Sequence, residues 1–332
     1  MIQQQSQNNF HNNKNMTSLL QMMTDHADTA AVLTSGNGYS ARVPELFLHP
    51  DHHPPVPIKA LIFDLDDTLI VDVEVSHEAL YEVAIKAQSL YGVEPSLFIS
   101  DAKSISQSLW EDGECRPYCE SIGISPFECL WGAFTGDSSD LIALRKWATD
   151  FRVEVFMKTL DKQGKNGHPE TAAAARLLSD EFAVARRSKQ RLMIGAREVL
   201  LKLASTYDLA LLTNGAPDLQ REKIAASGLE ESLFKVIAVS GELGVGKPHP
   251  DIFRQVLAKL GVSSLSAAAA VMIGNSLERD IAGAHNAGIR CIWLRVPGAE
   301  EYSLDRTVVP DRVVVSLLDI PAILSEMMGM GL

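Results

Sequence analysis

The chain has 332 residues, of which 46% are hydrophobic and 22% are charged, and it carries a formal net charge of −12. These proportions are typical of a globular protein with enough apolar material for more than one compact core. The acidic balance argues against a nucleic-acid partner, since proteins of that class present a basic face. No apolar run reaches the roughly 18 residues of a membrane span, so no membrane partner is expected. The four cysteines are too few for a disulfide-stapled fold and favour a reducing, cytoplasmic location.

Residues 1–57 have the composition of a tail. The first fifteen are rich in Gln and Asn, and the segment ends in the proline- and histidine-rich stretch HPDHHPPVP. Polar tracts of this kind bury too little apolar surface to fold alone. The start of the segment also lacks the basic and apolar regions of a secretory signal. We predict a disordered N-terminal tail over 1–57, with Thr17–Val32 as its one candidate helix.

Short runs of branched apolar residues after the tail predict the strands of a buried parallel sheet. The first run is IKALIFDLD, which begins at Ile58. Five more are predicted over Tyr207–Thr213, Phe234–Ser240, Ala270–Gly274, Gly288–Leu294 and Arg312–Val315. Helical patterns separate the later strands over Asp218–Ala226, Asp251–Leu260 and Leu277–Ala287. This alternation predicts βαβ units and therefore an α/β, Rossmann-like core with a parallel sheet.

A long insertion separates the first predicted strand from the second. A connection of this length needs structure of its own. It is rich in helix-forming residues, and its stretch HEALYEVAIKAQSLYG has apolar side chains at helical spacing and a terminal glycine. We predict that residues 77–196 form a helical domain inserted after the first strand. Residues 58–76 and 197–332 would then form the core.

Three carboxylates, Asp64, Asp66 and Asp67, follow the first predicted strand within LIFDLDDTLI. Asp64 and Asp66 share one face, because side chains two residues apart in a strand point the same way. Like charges this close repel each other, and their burial is costly unless a cation receives them. A hard divalent cation such as Mg²⁺ meets that need. Asp67 is expected to cap a helix or turn, with a place in the site as the alternative.

The carboxyl ends of further predicted strands bring polar groups to the same edge, where open parallel sheets bind ligands. Thr213 and Asn214 offer donors to phosphate oxygens. Lys247, within the Gly- and Pro-rich stretch GVGKPHP, offers a positive charge. The stretch GNSLERD contributes Asn275 and Asp280. Acidic and amide-bearing turns around one lysine are the outline of a phosphoryl-transfer site.

These residues stand in four ordered motifs: Asp64-x-Asp66-x-Thr68, the turn after Thr213, GKPHP with Lys247, and IGNSLERDI. In this order the motifs resemble those of the haloacid dehalogenase (HAD) superfamily. The phrase LLTNGAPDLQREKIAASGL resembles the branch in which a helical cap is inserted after the first motif. Within that branch the chain is similar to N-acylneuraminate-9-phosphatases, pyrimidine 5′-nucleotidases and phosphoglycolate phosphatases.

The resemblance implies hydrolysis of a small phosphorylated metabolite, of the sugar phosphate, nucleotide or phosphoglycolate type. Asp64 would attack the phosphorus and form an aspartyl-phosphate, which splits one difficult displacement into two easier ones. Asp66 would protonate the leaving oxygen and then deprotonate the hydrolytic water. Thr213, Asn214 and Lys247 would bind the transferring oxygens. The inserted domain would select the substrate.

The resemblance also implies Mg²⁺ as the cofactor, bound by the Asp64 carboxylate, the Asp66 backbone carbonyl and the fourth motif. That motif departs from the family pattern, because many relatives have Asp where this chain has Asn275. An amide oxygen still ligates Mg²⁺ but carries no charge, so weaker metal binding is expected. Asp280 would contribute through a metal-bound water or by pairing the lysine of the third motif. Ser276 would either contact the metal ligands or cap the following helix.

Three alternative functions share this outline. A phosphomutase uses the same core residues. A 2-haloacid dehalogenase uses the same fold, but Asp66 argues against it, because that chemistry needs no acid two residues after the nucleophile. A non-catalytic binding or regulatory protein is the third alternative, favoured by Asn275 alone. Metal-dependent release of free phosphate from a phosphoester distinguishes a phosphatase from all three.

Overall fold

The computed structural model describes residues 56–165, 170–295 and 308–329. Its strands are β1 (Ala60–Phe63), β2 (Asp208–Thr213), β3 (Phe234–Val239), β4 (Ala270–Gly274), β5 (Arg290–Leu294) and β6 (Arg312–Val314). They form one sheet in the order β3-β2-β1-β4-β5-β6, and every neighbouring pair is parallel. The predicted α/β fold with a parallel sheet is confirmed. Residues 1–55, with most of the predicted tail, lie outside the described residues.

Twelve helices are labelled here in the described residues. Seven lie between β1 and β2, and the first six of these are α1 (Val73–Tyr91), α2 (Pro95–Glu111), α3 (Arg116–Ile122), α4 (Pro126–Cys129), α5 (Ser139–Leu160) and α6 (Thr171–Arg187). The others are α7 (Ala196–Ala204), α8 (Pro217–Ser227), α9 (Ser240–Leu243), α10 (Pro250–Leu260), α11 (Gly283–Asn286) and α12 (Ile320–Met327). None of the helices in the described residues is long and apolar enough to cross a bilayer.

The sheet is apolar because helices cover both of its faces. Every residue of β1, the central strand, is fully buried. Leu61 and Phe63 point to the face packed by α7 and α12, and Ile62 points to the face packed by α10 and α11. A strand buried in this way is a continuous apolar run, which is why β1 could be recognised in the sequence.

The first six helices, α1–α6, called the cap below, pack around a hydrophobic core of their own. Phe156 lies at its centre, with ring centroids 6.2 Å from Phe98 and 6.3 Å from Phe182. This separate core supports the predicted inserted domain, although the expected boundary at residue 77 falls within α1. Three of the four cysteines, Cys115, Cys119 and Cys129, are buried as free thiols in the cap.

Candidate active site

The carboxyl edge of the sheet brings together the acidic and basic residues of the motifs. Asp64 follows β1, and Asn275 follows β4. Lys247 lies between α9 and α10, and its Nζ is 2.5 Å from Asp64 Oδ1 and 2.7 Å from Asp280 Oδ1. All three charged side chains of this cluster are buried. The parallel register therefore positions residues that are up to 216 positions apart in the chain (64 to 280) around one ammonium group.

The electrostatics of this cluster keep Lys247 charged. Burial disfavours the ammonium form, but Asp280 and Asp64 outweigh burial and raise the pKa of Lys247. Burial raises the pKa of Asp280 to about 6, because its attraction to Lys247 only partly offsets desolvation and the repulsion from Asp64. A buried ammonium between two carboxylates is a fixed positive charge beside Asp64, suitable for binding an anionic phosphoryl group.

Asn214 positions the backbone of Lys247. Its Oδ1 accepts from the Lys247 N–H at 2.8 Å, and its Nδ2 donates to the Lys247 carbonyl oxygen at 2.9 Å. The sequence led us to expect a phosphate contact from this amide, whereas the structure bonds both of its polar atoms to Lys247. The Thr213 side chain is fully buried, and its hydroxyl lies 3.4 Å from the Asn214 carbonyl oxygen. Its contact with phosphate stays a prediction.

Asp64 and Asn275 form an all-oxygen donor set. The Thr68 hydroxyl lies 3.1 Å from Asp64 Oδ2 and 3.4 Å from Asn275 Oδ1, so both oxygens lie around one point. Trp293 Nε1 donates to the Asn275 carbonyl oxygen at 2.8 Å and holds this turn. Carboxylate and amide oxygens are the ligands of hard cations, and the donor set fits Mg²⁺.

Asp280 has a different position from that expected of a metal ligand. Its Oδ1 pairs with Lys247, and its Oδ2 accepts from the Ser276 N–H at 2.9 Å. Of the two roles expected from the sequence, the structure gives it the pairing with lysine. Ser276 Oγ accepts from the Arg279 N–H at 3.1 Å, which is the capping role.

Asp67 caps the beginning of α1. Its Oδ1 accepts from the N–H groups of Asp72 at 2.9 Å and Val73 at 3.1 Å, and its φ of 53° is in the left-handed region. Asp and Asn tolerate this conformation better than other residues with a side chain. The capping role expected from the sequence is therefore observed.

Asp66 belongs to a second polar cluster, formed with α8. Its Oδ2 accepts from Gln220 Nε2 at 3.0 Å, and its Oδ1 lies 2.9 Å from Lys223 Nζ. Gln220 and Lys223 are both fully buried. Burial raises the pKa of Asp66 well above its usual value, and Lys223 only partly offsets this effect. A carboxyl group with a raised pKa is suited to donate a proton near neutral pH.

The same lysine reaches the cap. Lys223 Nζ also lies 3.0 Å from Asp72 Oδ1 and 3.0 Å from Glu128 Oε1, and Arg186 pairs with Asp72 from α6. Burial disfavours the Lys223 ammonium, but the three carboxylates outweigh burial and raise its pKa well above the usual value. One ammonium group thus joins Asp66 to a cap carboxylate.

No motif in the sequence indicated this second cluster. Lys223 and Glu128 lie 95 positions apart, and neither belongs to one of the four motifs. A signal was present in α8, where Gln220 and Lys223 occupy the helix face that also carries Leu219 and Ile224. Two polar side chains on an otherwise buried helix face need buried partners.

The end of α3 contacts the loops that hold Lys247. The Ser121 carbonyl oxygen accepts from the Gly246 N–H at 2.8 Å, and the Ile122 carbonyl oxygen accepts from Ser240 Oγ at 2.5 Å. Gly123, the next residue, is in the left-handed region with a φ of 81°. A Cβ atom there would lie 2.5 Å from Asn214 Nδ2, so the cap and the turn after β2 touch at a glycine.

We expect Gly123→Ala to lower kcat/KM for any phosphoester substrate by at least about tenfold, because shifts near 1 Å at a site can cost more than this. The methyl group would push Asn214, and with it Lys247, out of position. Steady-state kinetics on purified protein measure the effect.

Gly228→Ala is the matched control for this prediction. Gly228 also follows a helix and has a φ of 80°, but a Cβ atom added there would meet no other atom within 4 Å. Both variants should lose about 1 kcal/mol of stability from the strained backbone. Equal kcat/KM values in the two variants would rule out a catalytic role for the contact between Gly123 and Asn214.

Comparison with known proteins assigns the class. A family model for haloacid dehalogenase-like hydrolases matches residues 58–288, and the chain belongs to this family. The resemblance inferred from the four motifs is confirmed. Among solved structures, YfnB from Bacillus subtilis, a HAD-type hydrolase bound to magnesium, has a TM-score of 0.54 at 22% identity, over 81% of this chain and 99% of that one. That likeness shows the shared fold.

Two curated relatives have names that specify an activity. The chain is 39% identical over 239 residues to the phosphoserine phosphatase of Thermus thermophilus. The aligned segment covers 71% of this chain and 88% of that protein. It is 30% identical over 276 residues to the human N-acylneuraminate-9-phosphatase. That alignment covers 81% of this chain and 94% of the relative.

Proposed function

We propose that the protein is a Mg²⁺-dependent phosphatase that hydrolyses a small phosphorylated metabolite through an aspartyl-phosphate on Asp64. The observation that carries this proposal is the buried contact of Lys247 with Asp64, beside a second carboxylate, Asp66, whose pKa is raised. A nucleophile next to a fixed cation, and an acid two residues away, are the groups that a two-step displacement needs. The names of the two curated relatives support the same class of reaction.

In the first step, a carboxylate oxygen of Asp64 attacks the phosphorus, and the bond from phosphorus to the leaving oxygen breaks. Asp66 donates its proton to that oxygen. Burial favours the protonated form that this step needs, because it keeps the pKa of Asp66 above the usual range. Lys247 binds the phosphoryl oxygens, whose charge is stabilised by the ammonium group throughout the transfer.

In the second step, Asp66 is an anion and takes a proton from the water that attacks the phosphorus. The bond from phosphorus to Asp64 breaks, and inorganic phosphate leaves. Lys223, 2.9 Å from Asp66 Oδ1, stabilises the Asp66 carboxylate between the two steps. One residue can therefore act first as acid and then as base.

Asp64, the backbone carbonyl of Asp66 and Asn275 would hold the Mg²⁺ ion. When bound, the ion supplies positive charge to the phosphoryl oxygens and orients them. The proximity of Asp64 Oδ2 and Asn275 Oδ1 to one hydroxyl supports this ligand set.

The proposal is tested by measuring free phosphate released by the purified protein from an aryl phosphate and from a panel of metabolites. Phosphoserine and N-acylneuraminate 9-phosphate are the first compounds in the panel, because the curated relatives act on them by name. Sugar phosphates, nucleotides and phosphoglycolate complete it. We expect release that requires Mg²⁺ and stops with EDTA. Absence of release from every compound, or release unaffected by EDTA, would refute the proposal.

We expect Asn275→Asp to lower the Mg²⁺ concentration that gives half-maximal activity, by several-fold. The substitution adds a negative charge to the ligand set, and charge count sets the affinity of such sites. Mg²⁺ titration of the aryl phosphatase rate measures the change. Asn286→Asp adds the same charge at an exposed position at the end of α11 and should leave the titration unchanged. An unchanged Mg²⁺ titration in Asn275→Asp would mean that Asn275 is not a ligand.

A further inference from the structure

A second group of potential metal ligands lies away from the candidate active site. Cys291 is the second residue of β5, Asp311 immediately precedes β6, and His285 belongs to α11. Cys291 pairs in register with Met272, two residues before the end of β4, and points to the sheet face packed by α10 and α11. The group therefore lies under a helix on one face of the sheet, whereas Asp64 lies at the carboxyl edge.

The three side chains present one ligand atom each to a common point. Cys291 Sγ lies 3.2 Å from His285 Nε2 and 3.6 Å from Asp311 Oδ2, and the nitrogen lies 3.8 Å from the same oxygen. In a tetrahedral zinc site, the metal–ligand bonds of 2.0–2.3 Å put neighbouring ligand atoms about 3.5 Å apart. The nearest point equidistant from the three observed atoms lies in their plane, about 2.1 Å from each, so a cation slightly out of that plane would have bonds of about the length found in zinc sites.

The group is also rigid and largely removed from water. Cys291 is fully buried and Asp311 is 4% exposed, while the His285 side chain is partly exposed. Asp311 Oδ2 accepts from the Cys291 N–H at 2.8 Å, and this bond orients the carboxylate toward the sulfur. Ligands held by the backbone in this way are typical of built metal sites.

The choice of donors selects the type of cation. A thiol, an imidazole and a carboxylate suit Zn²⁺ and related borderline-soft ions, whereas Mg²⁺ and Ca²⁺ prefer oxygen alone. Burial and the adjacent Asp311 raise the pKa of the Cys291 thiol, so the thiol keeps its proton in the absence of a cation. Binding would form a metal–sulfur bond and release that proton to solvent.

We propose that His285, Cys291 and Asp311 form a Zn²⁺ site, separate from the Mg²⁺ ligands, that ties α11 and the beginning of β6 to β5. Because β6 is a three-residue strand at the edge of the sheet, a cation at this point would hold it in place. The site is structural in character, since none of its three residues contacts the cluster of Asp64, Lys247 and Asp280 in the described interactions.

Co²⁺ is the probe for this site, because it replaces Zn²⁺ and gives a thiolate charge-transfer band in the near ultraviolet only when a cysteine sulfur binds it. The full chain, stripped of metal and reduced, is titrated with Co²⁺. We expect the band to saturate at one equivalent, to disappear on addition of Zn²⁺, and to be absent from Cys291→Ser. Zn²⁺ should also raise the Tm of the stripped protein by about 5 °C.

Two further variants make the outcome specific. Cys115→Ser removes another buried thiol, in the cap, and should keep the band. His285→Gln changes a partly exposed ligand, so it tests the site even where Cys291→Ser folds poorly, and it should weaken Co²⁺ binding at least about tenfold. Absence of the band from the wild-type protein, or a band that persists in Cys291→Ser or binds equally well in His285→Gln, would overturn the proposal.

Discussion

Asp64→Asn is expected to lower kcat by at least about 10⁴-fold, as removal of a nucleophile does in enzymes that form a covalent intermediate. An amide has no anionic oxygen with which to attack phosphorus, so the first step of the proposed mechanism is lost. The substitution also removes the charge that pairs with Lys247 at 2.5 Å. Aryl phosphate hydrolysis in saturating Mg²⁺ measures the loss, and thermal unfolding checks that the variant is folded.

Asp67→Asn is the matched control, three residues further along the chain. It is the same chemical change, and an asparagine oxygen can still accept from the Asp72 and Val73 N–H groups. Asn also tolerates the left-handed φ of this position. We expect this variant to keep kcat within a few-fold of wild type. Wild-type rates in Asp64→Asn would refute the covalent mechanism, whereas equal losses in both variants would indicate a general effect of charge at this loop.

Trapping of the intermediate provides an independent measurement. Beryllium fluoride forms a stable adduct with an aspartate that accepts a phosphoryl group, and intact mass or a crystal structure reports its position. The adduct is expected on Asp64 in the wild-type protein and is expected to be absent from Asp64→Asn. An adduct on Asp66 would assign the nucleophile to the other carboxylate.

The sequence predicted the sheet and its strand ends well, for a physical reason. A strand buried on both faces is a continuous apolar run, as in β1, and polar residues that interrupt such a run stand out. Asp64 was found this way, and Lys247 and Asp280 were found in the polar stretches that follow two other strands. Parallel strands bring their carboxyl ends to one edge, so chain order was enough to predict that these residues meet.

The cluster around Lys223 was not predictable in the same way. Its members come from the segment between β1 and α1, from the core helix α8 and from the cap helix α4, and the contact with α4 depends on how the cap packs on the core. Local sequence patterns do not encode that packing. The contact of Asn214 with the Lys247 backbone was not predicted for a related reason, since the two residues lie 33 positions apart.

Lys223→Met is expected to destabilise the protein by about 3–5 kcal/mol, the usual cost of removing one partner from a buried ion pair. Methionine fills a similar volume but leaves the partly buried Asp66 and Asp72 and the buried Glu128 with one cation fewer. Lys235→Met is the control, because Lys235 pairs with Asp208 at the surface and such pairs contribute about 0–1 kcal/mol. Denaturant unfolding at neutral pH measures both. Similar losses in the two variants would contradict the role assigned to Lys223.

Lys223→Met should also shift the pH dependence of catalysis. Activity requires protonated Asp66 in the first step, so the rate falls as pH rises through the pKa of Asp66. Lys223 lowers that pKa, because it stabilises the carboxylate. Its removal therefore raises the pKa and moves the alkaline limb of the profile to higher pH. The free energy of unfolding of the variant should also depend on pH. Protonation of Asp66 removes its uncompensated negative charge, so the variant should lose more stability at alkaline than at acidic pH.

Glu128→Gln should shift the pKa of Asp66 in the direction opposite to Lys223→Met. Glu128 raises the pKa of Asp66 by repulsion, although its side chain belongs to the cap. Neutralising it should lower that pKa and move the alkaline limb to lower pH, whereas Lys223→Met moves it higher. The glutamine oxygen can still accept from Lys223, so the cap should keep its position. Opposite shifts would mean that a cap residue tunes the pKa of the proposed catalytic acid by its charge. Shifts in the same direction would mean that both variants act by displacing Asp66, and the electrostatic link between cap and core would have to be abandoned.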